Sequence, residues 1–269
     1  MKVYVNNGYD RLKSCLLCYP ANYRIISKTN KFYGKVDYAL ALNQYNAYIN
    51  YLIENDVKPI FIDITKSTKQ VYTKDVAFVI ENILFISKMS LKEREEEIEP
   101  IKKLAVDQKL DYYIMQNNIE GGDVTVTDEV IFVGVSNRTN MYAIEELKKI
   151  LDVKGIKKEV IPINFDTNML HLDCVFSLLG KKSALVSPYV YDKEIIKKYI
   201  ENIIEVTKED ADNLGTNLVY IGDNKLVTGN INVGNKLKEL GYDVKILEYT
   251  EIVKGEGSID CSTLVLLRQ

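Results

Sequence analysis

Histidine and cysteine are scarce in this chain, and that scarcity limits what it can be. Its 269 residues include one histidine, His171, and four cysteines. A single imidazole rules out a multi-histidine metal centre, and no second cysteine pair completes a zinc site. Cys15 and Cys18 have the spacing of a metal or redox pair. They lie, however, in the apolar run Ser14–Tyr19, which reads as a strand, where residues three apart point to opposite faces. Both are therefore expected in the core, as is Cys174, and no metal or cofactor is expected. No apolar run approaches a membrane span, and Met1–Asn7 lacks the apolar centre of a signal peptide. The expectation is a cytosolic protein with reduced thiols. Charge of neither sign dominates: the net value is −3, with Lys and Glu mixed along the chain. That leaves no basic stripe for nucleic acid and no face for a membrane. Low-complexity tracts are missing too, so disorder is not expected.

What is present is an order of elements that recurs about every fifty residues. Strand signals at Ser14–Tyr19 and Pro59–Ile64 flank a helical pattern over Asp37–Asn55. Next come strands Val71–Ile80 and Ile83–Lys88, a charged helix Leu91–Gln108, and Tyr112–Met115. A third unit has Val124–Thr127, Val130–Val135, a helix from Met141 to Leu151, and Glu159–Ile163. The fourth has Cys174–Leu179, Ser183–Ser187, a helix near Lys193–Glu201, and Ile203–Val206. Thr207–Asn213 reads as a connecting loop. The fifth unit has Leu218–Ile221, Lys225–Thr228, Val233–Leu240 and Val244–Glu248, and the strand Thr263–Leu267 ends the series. Five strand–strand–helix–strand units point to an α/β architecture with radial repetition, one domain over residues 1–269 rather than two.

The residues with chemistry to offer fall at the ends of strands or in the loops leaving them. Asp75 interrupts Val71–Ile80; Glu120 precedes a strand in Glu120-Gly121-Gly122-Asp123. His171 and Asp173 precede another, and Cys261 precedes the last. A cysteine, a histidine and several carboxylates, far apart in sequence, are the parts of a thiol nucleophile with an acid–base partner. In a ring of repeats such positions converge on the axis.

Taken together these strings resemble the guanidino-group-modifying (amidinotransferase, or pentein) superfamily, which includes arginine deiminases, dimethylarginine dimethylaminohydrolases and arginine dihydrolases. The resemblance runs through Lys13–Pro20, Tyr72-Thr73-Lys74-Asp75, Arg94, Glu120–Asp123, Gly134–Asn140, His171-Leu172-Asp173 and Gly257–Leu264, in family order. It implies a five-bladed α/β propeller of pseudo-repeated ββαβ units, and a hydrolase that needs no cofactor. Cys261 is then the nucleophile that attacks the guanidinium carbon and forms an S-alkylthiouronium intermediate. His171 is the acid–base group, held by Glu120. Asp75 and Asp173 are implied to accept N–H bonds from the guanidinium. Arg138 and Arg94 match arginines that bind the substrate α-carboxylate, for which their forked donors suit them. Asn30 is a candidate for the pocket lining.

The resemblance implies a small guanidino amino acid as the partner, with a homo-oligomer left open. An asymmetrically dimethylated nitrogen has no N–H for Asp173, so free arginine is the expected substrate and deimination to citrulline the expected reaction. Dimethylarginine hydrolysis and onward conversion to ornithine are the alternatives. Three departures bear on this. The chain lacks the helical insertion of the longer deiminases; it has Asp260 where they have Arg before the nucleophile; and it has Asp75 where dihydrolases have Asn. A silent propeller acting as a binding protein and an amidino transferase are the readings from other classes.

Overall fold

The computed structural model describes residues 1–269. In chain order its elements are β1 (Leu12–Leu17), α1 (Tyr38–Glu54), β2 (Lys58–Phe61), β3 (Ala77–Ile80), β4 (Ile83–Ile86), α2 (Ile98–Asp107), β5 (Asp111–Ile114), β6 (Val124–Val126), β7 (Val130–Val135), α3 (Met141–Val153) and β8 (Glu159–Asn164). There follow β9 (Phe176–Leu178), β10 (Ser183–Val186), α4 (Lys193–Ile196), β11 (Asn202–Glu205), α5 (Lys208–Asp212), β12 (Leu218–Gly222), β13 (Lys225–Thr228), α6 (Ile231–Glu239), β14 (Asp243–Ile246), α7 (Thr250–Val253) and β15 (Leu264–Arg268). They make five three-stranded sheets. Four are alike: an antiparallel hairpin, then a third strand that returns parallel to the second, as in β3-β4-β5 and β6-β7-β8. The parallel return needs a crossover, and the intervening helical segment supplies it. The fifth sheet joins the chain's two ends, since β15 lies antiparallel to β1 and β1 parallel to β2.

Local chemistry accounts for much of this. Asp37 caps α1 by accepting from the Leu40 amide at 3.0 Å, and Asn140 and Asn230 cap α3 and α6 in the same way. The middle strand β4 is buried throughout, as covering on both faces requires. Separate apolar clusters fill the gaps between neighbouring sheets and their helices; one joins Phe78 and Phe85 of the second sheet to Val124, Val133 and the α3 residues Ile144 and Leu147. Cys15 and Cys18 lie in different clusters, on opposite faces of the first sheet, and burial pushes each thiol up to about 12.

Several boundaries differ from expectation. The apolar run Val71–Ile80 is not one strand: Thr73–Val76 is a turn of 3₁₀ helix, and β3 starts at Ala77. Cys174 likewise belongs to the 3₁₀ turn Leu172–Cys174, ahead of β9. The charged helix opens as 3₁₀ over Lys92–Glu97 before α2. Thr207–Asn213 is not a plain loop but contains α5, begun by a capping box between Thr207 and Asp210. The expected helix near Lys193–Glu201 shrinks to α4.

The first strand of each sheet is entered from a short irregular segment: Thr73–Val76 before β3, Gly121–Asp123 before β6, Leu172–Cys174 before β9, Thr216-Asn217 before β12, and Ile259–Thr263 before β15. These five segments carry Asp75, Asp123, Asp173, Asn217 and Cys261 in turn.

Candidate active site

Two poles face one narrow cavity, which is lined by Asp75, Arg94, Glu120, Arg138, His171 and Cys261 together with Tyr72, Leu170 and Gly255–Gly257. The first pole is built around His171, which is fully buried. Its Nε2 meets Glu120 Oε2 at 2.9 Å. Glu120 is anchored in turn, since Oε1 accepts from the amide and hydroxyl of Ser90 at 3.2 and 3.1 Å. The other ring nitrogen, Nδ1, lies 3.6 Å from Asp75 Oδ1. Both of these atoms are buried without a hydrogen-bond partner. Asp123 supports the histidine's turn from below, accepting from the Leu172 amide at 2.9 Å and the Ser136 hydroxyl at 2.7 Å. The two glycines between Glu120 and Asp123 have steric reasons. A Cβ on Gly122 would stand 2.7 Å from His171 Nδ1, and one on Gly121 would collide with the Lys74 carbonyl oxygen.

The charges at this pole are matched. Burial alone would lower the imidazole's affinity for a proton, but Asp75, the Glu120 hydrogen bond and Asp123 outweigh it and raise His171 to about 10. Burial pushes the other way on Glu120, and the His171 hydrogen bond and charge prevail, lowering its carboxyl to about 2. The pair is an imidazolium and a carboxylate at neutral pH. Burial raises Asp123 to about 6 despite the nearby imidazolium and its hydroxyl and amide donors.

The second pole is built around Cys261. Its Sγ accepts from Asn217 Nδ2 at 3.1 Å and lies 3.7 Å from Asp173 Oδ2. Asn217 Oδ1 accepts the amides of Asp260 and Cys261 at 2.9 and 3.3 Å, which fixes the turn that carries Cys261. Lys74 Nζ stands 3.4 Å from Asp173 Oδ2 and pairs with Asp260. Burial raises Asp260 to about 6 against the pull of Lys74, with the neighbouring Asp173 charge adding to the rise. The Cys174 thiol donates toward Asp173 Oδ1 at 3.4 Å. Hydrogen bonding with Cys261 and burial hold Cys174 well above the ordinary thiol range.

Of the residues singled out in the sequence, Cys261, His171, Glu120, Asp75, Arg94 and Arg138 share the narrow cavity. Asp173 touches Cys261 but lines a different cavity, with Lys74, Asp260 and Arg268. Arg138 stands at the mouth, with Nη1 3.8 Å from Glu120 Oε1, and also lines an outer cavity. Asn30 is set farther out. It lines that outer cavity rather than the narrow one, and its Nδ2 donates to the Lys254 carbonyl at 3.0 Å. Arg94 departs from expectation, because its fork is not free for a carboxylate. Nε and Nη2 donate to Glu97 at 3.0 and 2.7 Å, and Nη1 donates to Asp75 Oδ2 at 2.5 Å. A fully buried guanidinium must be paired, and it takes the two carboxylates beside it. Lys74, Asn217 and Cys174 went unrecognised in the sequence as residues gathered around Cys261 and Asp173. The recurring segment before each first strand was the available signal, since Asn217 holds in the β12 unit the place that Asp173 and Cys261 hold in theirs.

The sequence profile of arginine deiminase matches residues 61–213, more than half of the chain. The chain is 29% identical to the uncharacterized protein YkgA of Bacillus subtilis, over 99% of this chain and 96% of that one. It is 26% identical to N(G),N(G)-dimethylarginine dimethylaminohydrolase of Pseudomonas aeruginosa, over 91% and 96%. In three dimensions it is similar to the N-terminal domain of ArgZ, a cyanobacterial arginine dihydrolase. The TM-score is 0.86, covering 96% of this chain and 98% of that one, at 22% identity. At that identity the likeness speaks for the fold alone.

Proposed function

The chain belongs to the arginine deiminase family and is a hydrolase of guanidino C–N bonds; from that premise we propose that it converts L-arginine to citrulline and ammonia. The observation that carries the proposal is the pair of unpartnered buried atoms, Asp75 Oδ1 and His171 Nδ1, on the cavity that also holds Cys261. An unpaired buried carboxylate oxygen is costly, and a guanidinium N–H satisfies it. In this reading the Cys261 thiolate attacks the guanidinium carbon. The tetrahedral adduct expels ammonia as His171 donates its proton, which leaves an S-alkylthiouronium. His171, now neutral, takes a proton from water; the hydroxide adds to the same carbon, the C–S bond breaks to release the thiolate, and the hydroxyl proton passes to solvent to leave citrulline. Glu120 keeps the ring oriented, and Arg94 fixes Asp75. Arg138 receives the α-carboxylate at the mouth, with Asn30 in the outer vestibule. Asp173 holds negative charge beside the reacting carbon. The same reading takes the five sheets as the blades of one propeller spanning residues 1–269, with the cavity on its axis.

One observation favours dimethylarginine as the substrate instead. Asp173 Oδ2 is already engaged by Lys74, and Asp173 does not line the narrow cavity, so one acceptor for a free N–H is withdrawn. Mass spectrometry of products from arginine, dimethylarginine, citrulline and agmatine, with chelator present, decides. Citrulline and ammonia from arginine are expected. Dimethylamine from dimethylarginine at a higher specificity constant, or ornithine from arginine, overturns the assignment.

A further inference from the structure

Arg268, at the end of β15, is 4% exposed and has no counter-charge in contact with it. Its Nη1 donates to the carbonyl oxygens of Asp10 and Tyr220 at 2.7 and 2.8 Å, and no carboxylate oxygen lies within 4.0 Å of the guanidinium. Nε and Nη2 make no hydrogen bond, yet neither is sealed in protein. Both are presented to a cavity that Arg268 lines. That cavity is not the one that holds Cys261, since the two share no lining residue. We propose that it is a second binding site, for a short-chain aliphatic carboxylate whose two oxygens take the Nε and Nη2 hydrogens of Arg268.

A buried guanidinium needs an anion beside it. Arg94 shows how this chain meets that need elsewhere, where Asp75 and Glu97 take the fork. Arg268 has only carbonyls. Burial lowers it to about 10 against the pull of Asp260 and Asp10, so it is a cation at neutral pH whose charge is compensated only from a distance. The carbonyls occupy Nη1 alone. The edge left over, Nε–H beside an N–H of Nη2, is the planar fork that a carboxylate accepts with both oxygens. A monoanion suits the space better than a dianion, because Asp173 and Asp260 line it too and share one ammonium, that of Lys74. The rest of the wall is largely apolar. Phe78, Val126, Phe176, Leu178 and Leu218 come from four of the sheets and offer nothing to a second polar group, so the body of the ligand is hydrocarbon. The cavity volume is about 110 Å³. One water needs at least about 10–15 Å³, so a short chain fits and a long one does not.

The test titrates the full chain with propionate labelled at its carboxyl carbon, in carboxylate-free buffer, and follows the shift and width of the carbon resonance. Propionamide serves as the neutral isostere and chloride as a bare anion. Saturable binding of one propionate per chain is expected, with propionamide weaker by at least about tenfold. Arg268→Gln, which keeps a donor but loses the charge and the fork, is expected to weaken propionate by at least about tenfold. Thr125→Phe fills the cavity from β6, leaves Arg268 untouched, and is expected to prevent binding. Arg138→Lys, in the other cavity, is expected to leave propionate binding unchanged. Absence of binding to the native chain overturns the proposal. So does propionamide binding as well as propionate, or chloride displacing propionate at equal concentration, since neither a neutral amide nor a bare anion uses the fork as a carboxylate does. Unchanged affinity in a folded Arg268→Gln or Thr125→Phe overturns it as well. Loss of binding in Arg138→Lys places the carboxylate at the guanidine cavity and has the same consequence. The readout needs no turnover, so a chain inactive on arginine leaves this result standing.

Discussion

The two poles of the cavity follow different rules. Around His171 each charge has a close counter-charge: Glu120 for the imidazolium, and Asp75 and Glu97 for Arg94, whose side chain is 4% exposed. Around Cys261 the partners are softer. Lys74 is shared between Asp173 and Asp260 and is 18% exposed, and the sulfur rests on an amide donor and a carboxylate. The first pole is a rigid frame whose protonation is set by buried ion pairs. The second is the reacting side on the mechanism proposed above, and Asp260 and Cys174 lie beside it. A proton donor needs a fixed field, whereas a nucleophile needs room to gain and lose a bond.

Substitutions on either side put that division to the test. The largest effect belongs to Cys261→Ser, which should abolish turnover while leaving thermal unfolding nearly unchanged, because an alkoxide is not available at neutral pH and the sulfur makes few structural bonds. Measurable turnover would end the thiol mechanism. Arg94→Met should do the reverse of a pure activity lesion. It strands Asp75 and Glu97 as buried charges, at a stability cost of about 3–5 kcal/mol, measurable by urea unfolding. Lys74→Met, at a wetter site, should cost clearly less. Equal costs would erase the distinction between frame and reacting side.

Asp173→Asn should lower the specificity constant for arginine by about ten- to a hundredfold, the worth of one charge-assisted hydrogen bond of about 1.5–3 kcal/mol. A variant as active as the parent would remove Asp173 from the substrate's surroundings. The poles should also titrate apart. His171 is raised, so the stabilisation its imidazolium brings is complete below about 6.5 and is lost as pH rises through about 10. The alkaline limb of the rate profile should lie near 10, and Glu120→Gln should move it toward neutrality. Asp260, raised to about 6, should set an acid limb that Asp260→Asn removes without disturbing the alkaline one. The smallest effect is a matter of ratio: Arg138→Lys should weaken arginine more than agmatine, which lacks the carboxylate that the fork grips. Steady-state kinetics with both substrates checks this, and equal losses would move carboxylate recognition elsewhere.

Much was legible because it is local. The helix over Asp37–Asn55 could be read from its period and its capping aspartate, and the strand Lys225–Thr228 from its apolar run bounded by a turn. Cys15 and Cys18 could be assigned to opposite faces because side chains alternate along any strand. Where local signals overlapped, the reading failed. Val71–Ile80 is apolar throughout most of its length, but only its second half can pair with β4, and its first half turns to present Asp75. The capping box at Thr207 and Asp210 was a readable signal for α5 that went unused.

The repeat of elements, the burial pattern and, through motifs in order, the set of candidate residues that line the cavity are written in the linear chain. How those residues meet is a matter of packing. Nothing in Lys92–Glu97 marks Arg94 as the charge that turns inward; Asp75, nineteen residues upstream, settles it. Nor does any local pattern bring Asn217 or Cys174 to Cys261. Those contacts span 44 residues and more, and they exist because the segments before β9, β12 and β15 pack against one another. Periodicity fixes the direction of a side chain relative to its own backbone. Where two such directions converge depends on how separate sheets pack, which no single segment encodes.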